Sequence, residues 1–330
     1  VGVFAWFGLQ GGSMQWNGFK VYPGGKHAYG LDMIGHYAKD FRADVVITLI
    51  DIWTQGGVGE AVAPAAWWPW FPIDGEPVAK IVSQVLDQEP KCRPLVFSHW
   101  GREVMSDAGY ASEYLPIGIE PKTFRIMPEE DVLRFRQSVF GDCDHLTVMV
   151  AANKGSDMRK AFDVQLRAWA MFAEDKPKAR LYLHTEATGL YGGPDLRTMA
   201  DMMGILDRVY FADGQQYWVG YPPEYLALLY NAADVYLGAT KSEGFGIPLI
   251  EAQACGCPVI ATDYSSMPGA GRTWMMWCGR CRSCMSGSAG AGGRWISGLR
   301  RASRFTACMA GIMWWSGIGR RCLCRAAGHS

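Results

Sequence analysis

The stretch DVYLGATKSEGFGIPLIEAQACG, residues 234–256, decides how the chain around it is read. Its first part, DVYLGAT, is a short β-rich apolar run, and PLIEAQACG has the make-up of a helix. Pro248 suits the first turn of that helix, where its missing N–H is no loss, and Gly256 stands where the helix ends. The loop Glu243-Gly244-Phe245-Gly246-Ile247 therefore leaves the carboxyl end of a strand and feeds a helix N-terminus. Backbone N–H groups and the positive end of the helix dipole favour an anion there, and the glycines let the backbone come close to it. Glu243 and Glu251 are eight positions apart, with only apolar residues and glycine between them. Carboxylates beside a phosphate repel it unless they address something else on the same ligand, and hydroxyl groups fit that role, since each ionised carboxylate can accept two donors. A sugar nucleotide offers a diphosphate for the loop, sugar hydroxyls for Glu243 and ribose hydroxyls for Glu251.

The same strand-to-helix alternation continues outward. HLTVMVAAN (145–153), ARLYLHT (179–185), RVYFAD (208–213) and PVIAT (258–262) read as strands. MRKAFDVQLRAWAMF (158–172), RTMADMMGIL (197–206) and PPEYLALLYNAA (222–233) read as helices. Repeats of this kind predict a doubly wound α/β sheet whose ligands sit at the carboxyl ends of the strands. Upstream, VGVFAWFGL (1–9), DVVITLI (44–50) and RPLVFS (93–98) are further strands, with GHYAKDFRA (35–43) as a helix between two of them. The pattern opens on a strand without the glycine turn and helix that would normally lead into it, which predicts a first domain incomplete at its start. YLPIGIEPKTF (114–124) and the charged MPEEDVLRFRQ (127–137) read as the link into the second domain. The expected organisation is a first α/β domain over 1–140, a nucleotide-sugar domain over 141–270, and a tail over 271–330.

At 330 residues, 49% hydrophobic and 19% charged, the chain has the balance of a globular protein with room for two cores. No run of eighteen uncharged apolar residues occurs and no signal peptide opens the chain, which predicts a cytoplasmic protein with no stable membrane span. The basic and acidic totals, 32 each, hide an asymmetry. Residues 271–330 hold ten Arg and no Lys, Asp or Glu, so the tail carries +10 and the remainder −10. Eleven Gly, six of the ten Cys and five Trp lie in that tail, which shows neither helical nor strand periodicity and is expected to be disordered. A shifted reading frame in GC-rich DNA accounts for this composition. The competing reading is a basic zinc- or nucleic-acid-binding tail, with Cys278, Cys281 and Cys284 spaced CxxCxxC, although no His lies near them.

SEGFGIPLIEAQACGCPVIATD (242–263) resembles the Glu-x7-Glu segment of the family 4 glycosyltransferases. The likeness extends back through LYNAADVYLGATK (229–241), VMVAANKGSDMRKAFDVQLRAW (148–169) and FSHWGREVMSDAGYASEYLPIGIEPKTF (97–124), and spans residues 1–268. It implies the GT-B fold, two facing Rossmann-like domains, of which the first, over 1–140, is the acceptor-side one, here shortened at its start, and the second is shortened at its end. It also implies retaining transfer of a hexose from a nucleoside-diphosphate sugar, with no cofactor and no metal. Lys160 matches the family's basic residue that neutralises the donor diphosphate, with Arg159 beside it. Asn153 and Lys154 stand where many members carry an arginine. Gly244, Phe245, Gly246 and Ile247 match the family's backbone loop, and Glu243 and Glu251 its two glutamates. The resemblance leaves the acceptor open among glycan, lipid, protein and modified nucleic acid.

Further candidates come from the first domain. His99 and Asp51 each follow a strand, which makes them acceptor-side catalytic candidates, or structural residues at strand ends. Trp67, Trp68 and Trp70 either line an acceptor sugar by stacking or plug a loop against the core, packing being favoured. A catalytically inactive sugar-nucleotide binder is the alternative to an active transferase.

Overall fold

The computed structural model describes residues 1–7, 9–155 and 158–268. The described residues divide into two compact units, the first Val1–Pro116 and the second starting at Ile117.

In the first unit the elements run β1 (Gly2–Ala5), β2 (Met14–Trp16), β3 (Phe19–Pro23), α1 (Ile34–Phe41), β4 (Val45–Leu49), α2 (Val58–Val62), β5 (Ala66–Phe71), α3 (Lys80–Gln88), β6 (Leu95–Val96), α4 (His99–Asp107) and β7 (Glu113–Tyr114). They form two sheets, β1-β3-β2 and the all-parallel β4-β5-β6-β7. The hairpin from β2 to β3 turns on Asn17-Gly18, both at positive φ (47° and 80°), the Asn-Gly chemistry of a two-residue hairpin turn. WWPWF is a strand rather than a loop. Its alternation sends Trp67 and Phe71 into the core, 2% and 0% exposed, and Trp67 Nε1 donates to Thr48 Oγ1 at 3.0 Å. Trp70 Nε1 donates to the Leu115 carbonyl at 2.8 Å, and the ring meets Phe97 edge-on. Packing therefore explains Trp67 and Trp70.

The second unit runs α5 (Glu129–Phe140), β8 (His145–Val150), α6 (Phe162–Ala173), β9 (Ala179–His184), α7 (Leu196–Met202), β10 (Val209–Phe211), α8 (Gly214–Val219), α9 (Pro223–Ala232), β11 (Val235–Gly238), α10 (Ile247–Ala254) and β12 (Val259–Ala261). Its sheet has the order β10-β9-β8-β11-β12, parallel throughout. Strands covered on both faces are buried residue after residue, as β8 is from His145 to Met149. Leu146 and Val148 enter the core shared with α9 and α10, while Met149 enters the one shared with α6. Thr147, polar and 0% exposed, accepts from Trp169 Nε1 at 3.1 Å.

Two expectations change at the border. The division falls after Pro116, within the stretch 114–124 read as the start of the link and well before the expected bound at residue 140, and the charged stretch expected to complete the link is helix α5 of the second unit. Its first turn carries Glu129, Glu130 and Asp131, which complement the positive end of the helix dipole. Phe140 is buried against Tyr182 and Tyr210, and Phe135 meets Tyr225 edge-on, so the helix shares this unit's core. The tail over 271–330 lies outside the described residues, as do the cysteines of its CxxCxxC.

Candidate donor site

In the sheet order β10-β9-β8-β11-β12 the chain starts at the middle strand, adds β9 and β10 on one side, then returns to add β11 and β12 on the other. The loops after β8 and β11 therefore diverge from neighbouring strands and open a crevice at their carboxyl ends, where α/β sheets bind ligands. The first loop carries Arg159 and Lys160, and the second carries Glu243 to Ile247.

Arg159 and Lys160 were expected at the start of a helix. Instead α6 begins at Phe162, and the two cations occupy a turn bracketed by Met158 (φ 51°) and Ala161 (φ 48°), both left-handed. Such residues are uncommon at positive φ, so the turn holds a shape that a helix would erase. It aims both side chains across the crevice. Lys160 Nζ donates to Glu243 Oε1 at 2.6 Å, and Arg159 Nη1 donates to Glu243 Oε2 at 3.2 Å and to the Ser242 carbonyl at 3.0 Å. The Lys160 and Glu243 side chains are 18% and 17% exposed, so their charges are screened less than a surface pair.

The backbone of Glu243 is gripped from behind. Its N–H donates to Ser265 Oγ at 3.1 Å, and its carbonyl accepts from Ser265 Oγ at 3.1 Å and from Ser266 Oγ at 2.6 Å. Both serines are buried and follow β12, with Ser265 at φ 55°. Sequence reasoning missed them, although a serine pair four and five positions beyond a strand at the carboxyl edge was visible. Gln165, buried in α6, was missed as well. Its Nε2 donates to the Lys160 carbonyl at 2.7 Å, and its Oε1 accepts from the Ala239 N–H at 2.9 Å.

Gly246 caps the N-terminus of α10 at φ 87°, a conformation natural to glycine, and no side chain caps the helix. Gly244, Phe245 and Gly246 are buried, and Ile247 is exposed. One turn into the helix, Glu251 accepts from the Tyr230 hydroxyl at 3.0 Å. Burial pushes its carboxyl above the usual range, and the tyrosine hydrogen bond opposes this only in part.

Asn153 turns away from a clamping role. It is 3% exposed, and its Nδ2 donates to the carbonyls of Glu186 at 2.8 Å and Pro194 at 2.9 Å, tying this loop to the one after β9. Lys154 is exposed. His99 belongs to the other unit. It is exposed at the start of α4, which Ser98 caps by accepting from the Gly101 N–H, and its ring stacks on Tyr114 with centroids 3.8 Å apart. Asp51 precedes a short 3-10 turn, Ile52–Thr54, and its carbonyl accepts from the Thr54 hydroxyl at 2.8 Å. Among the described residues, no group of three or more His, Cys, Asp or Glu gathers in metal-binding fashion. Nor is any described helix long and apolar enough to cross a membrane.

Residues 156–272 match the family model described as Glycosyl transferases group 1. The D-inositol 3-phosphate glycosyltransferase of Segniliparus rotundus is 38% identical over 111 residues, covering 34% of this chain and 24% of the relative. Its counterpart in Acidothermus cellulolyticus is 30% identical over 167 residues, 48% of this chain and 34% of the relative. The matched segments thus span about a quarter to a third of these curated relatives. Among solved structures, sucrose-phosphate synthase from Thermosynechococcus elongatus superposes with a TM-score of 0.59 at 17% identity, covering 93% of this chain and 84% of that one. Anabaena Alr3699/HepE, in complex with UDP and glucose, gives 0.60 at 13% identity, covering 90% and 82%. At such identities the likeness shows the fold, which is the α/β GT-B class.

Proposed function

We propose that this chain is a retaining glycosyltransferase of family 4 that moves a hexose from a nucleoside-diphosphate sugar to an acceptor. The observation that carries the reading is the convergence of Lys160 and Arg159 on Glu243, at the switch point of a parallel sheet and beside the glycine-bounded N-terminus of α10. A diphosphate entering the crevice competes for both cations and for the backbone N–H groups at the helix start. Glu243, relieved of its cations, is then available to accept from sugar hydroxyls, and Glu251 from the ribose. The similarity to the group 1 glycosyl transferases covers this same segment, and Alr3699/HepE was solved with UDP and glucose in the same fold class.

Stabilisation of the leaving diphosphate by Lys160, Arg159 and the helix dipole supplies the chemistry that a metal provides elsewhere. Glu243 orients the sugar. His99 is the acceptor-side catalytic candidate of the first unit, and the acceptor is a hydroxyl-bearing molecule whose class this site does not select. The curated relatives named D-inositol 3-phosphate glycosyltransferases make phosphorylated inositol the first acceptor to assay.

Titration calorimetry with UDP, GDP and ADP, followed by hydrolysis and transfer assays with the matching glucose and mannose donors, tests the reading. Binding of a nucleoside diphosphate that Lys160→Ala and Glu251→Ala each weaken supports it. Unchanged affinity in both variants sinks it. Binding without turnover of any donor would instead favour the inactive sugar-nucleotide binder.

A further inference from the structure

One buried amide is hydrogen-bonded to both loops of the candidate donor site. Gln165 is 1% exposed in the first turns of α6, and its carboxamide spans the two loops that leave β8 and β11. Its Nε2 donates to the carbonyl of Lys160, the residue that carries one site cation, at 2.7 Å. Its Oε1 accepts from the N–H of Ala239, four residues before Glu243, at 2.9 Å. The partners fix the orientation of the amide, because a carbonyl can only accept and an N–H can only donate. One backbone hydrogen bond runs in parallel, from Lys241 N–H to the Arg159 carbonyl at 2.8 Å.

We propose that Gln165 is a positioning residue that sets the spacing between the cation-bearing and carboxylate-bearing loops, so that the diphosphate and sugar ends of one donor are gripped in register. This rests on the donor-site reading above. The position demands a donor and an acceptor at one end of a side chain of this length, in a place closed to water. Leucine or methionine supplies neither and leaves a buried carbonyl and a buried N–H unpaired, so the loops shift to find partners. Glutamate meets the demand only when protonated, since an ionised carboxylate faces the Lys160 carbonyl with no proton to donate. The residue acts through Lys160 and Glu243 and touches no ligand itself.

The test uses the full chain and whichever of UDP, GDP and ADP binds it most tightly, with affinity measured by calorimetry between pH 5 and pH 8. Gln165→Met is expected to bind at least tenfold more weakly than the unsubstituted chain at every pH. Gln165→Glu is expected to bind weakly at pH 8 and to recover toward the unsubstituted value at pH 5, where its carboxyl regains the proton. Lys154, Asp157, Arg159 and Lys160 on the first loop and Lys241 and Glu243 on the second are present in every variant, so affinity relative to the unsubstituted chain cancels their titration. A role confined to stability would lower the melting temperature of both variants and leave the Glu ratio flat with pH. That flat ratio, or Gln165→Met binding within twofold of the unsubstituted chain, overturns the proposal. Should Gln165→Met fail to fold, the pH response of Gln165→Glu decides alone. If the unsubstituted chain binds none of the three nucleotides, it is the donor-site reading that fails, which is a distinct result.

Discussion

Lys160 Nζ lies 2.6 Å from Glu243 Oε1, across 83 residues of sequence and at the point where the sheet of the second unit changes direction. The pair makes the two partners' roles separable. Removing the lysine takes a charge-assisted hydrogen bond from any diphosphate in the crevice, worth about 1.5–3 kcal/mol, or roughly tenfold to a hundredfold in affinity. Lys160→Ala should therefore weaken nucleoside-diphosphate binding by about that factor. Glu243→Gln frees both cations from a competing carboxylate, so it should leave that binding unchanged or tighter while turnover falls by about a hundredfold or more. Calorimetry beside steady-state transfer rates separates the two. Equal loss of affinity in both variants would refute the division of labour.

Glu251 is held above the usual carboxyl range by burial, so its ionised form is a burden on the folded state at neutral pH. Its folded pKa is raised above the unfolded one, so the folded state binds the proton more tightly and the burden fades as pH falls through that range. Glu251→Gln keeps an acceptor for the Tyr230 hydroxyl and removes the charge. Its melting temperature should exceed that of the unsubstituted chain at pH 7, and the difference should shrink toward pH 4. Donor affinity should move the other way, because ribose hydroxyls lose an ionised acceptor.

His184, at the end of β9, is 8% exposed, and burial lowers its pKa from 6.5 to about 4. The unfolded chain therefore takes up a proton between those values that the folded chain refuses. Stability is fully present above about pH 6.5 and declines as the pH falls toward 4, by on the order of 3 kcal/mol. His184→Phe should flatten that part of the profile in thermal melts recorded from pH 4 to pH 7. An unchanged slope would show that the imidazole is not what titrates.

His99 belongs to the first unit, where its ring stacks on Tyr114. If it serves the acceptor, His99→Ala should lower kcat about a hundredfold, within the usual range for a lost general base, while nucleotide affinity stays within twofold. Unaltered turnover would return the residue to its structural reading, a ring stacked on Tyr114.

Much of the second unit was legible because its strands and helices carry strong, unbroken apolar patterns, and the loop from Glu243 to Ile247 is punctuated by glycine and proline. Three things escaped for physical reasons. Helix α5 looked like a linker because its first turn is acidic, and its aromatic face shows its worth only against Tyr182, Tyr210 and Tyr225. The turn at Arg159 and Lys160 was read as helix because Met158 and Ala161 are good helix formers; the left-handed backbone there is imposed by surroundings that no local preference announces. Gln165 and the pair Ser265 and Ser266 act through backbone atoms of residues far along the chain, a kind of contact that leaves no spacing to read. In the first unit, Trp67, Trp68 and Trp70 looked like a loop because two prolines flank the run and one interrupts it, yet the parallel pairing of Val45–Leu49 with Ala66–Trp70 accommodates Pro69 within a strand.

The sheet order also bears on when the site comes into being. β8 pairs with β9 by way of α6, at a separation of 34 residues, His145 opposite Ala179, but with β11 only at a separation of 88, Thr147 opposite Val235 and Val148 opposite Tyr236. Contacts of such long range carry the entropy of closing a large loop before they return any stability, and they form late. The cations on the first loop are thus made early and wait for their carboxylate. Nucleotide capture by this unit would then report the completion of its sheet, and a chain cut between the end of α6 and Val235 would keep half the pattern while holding no complete site.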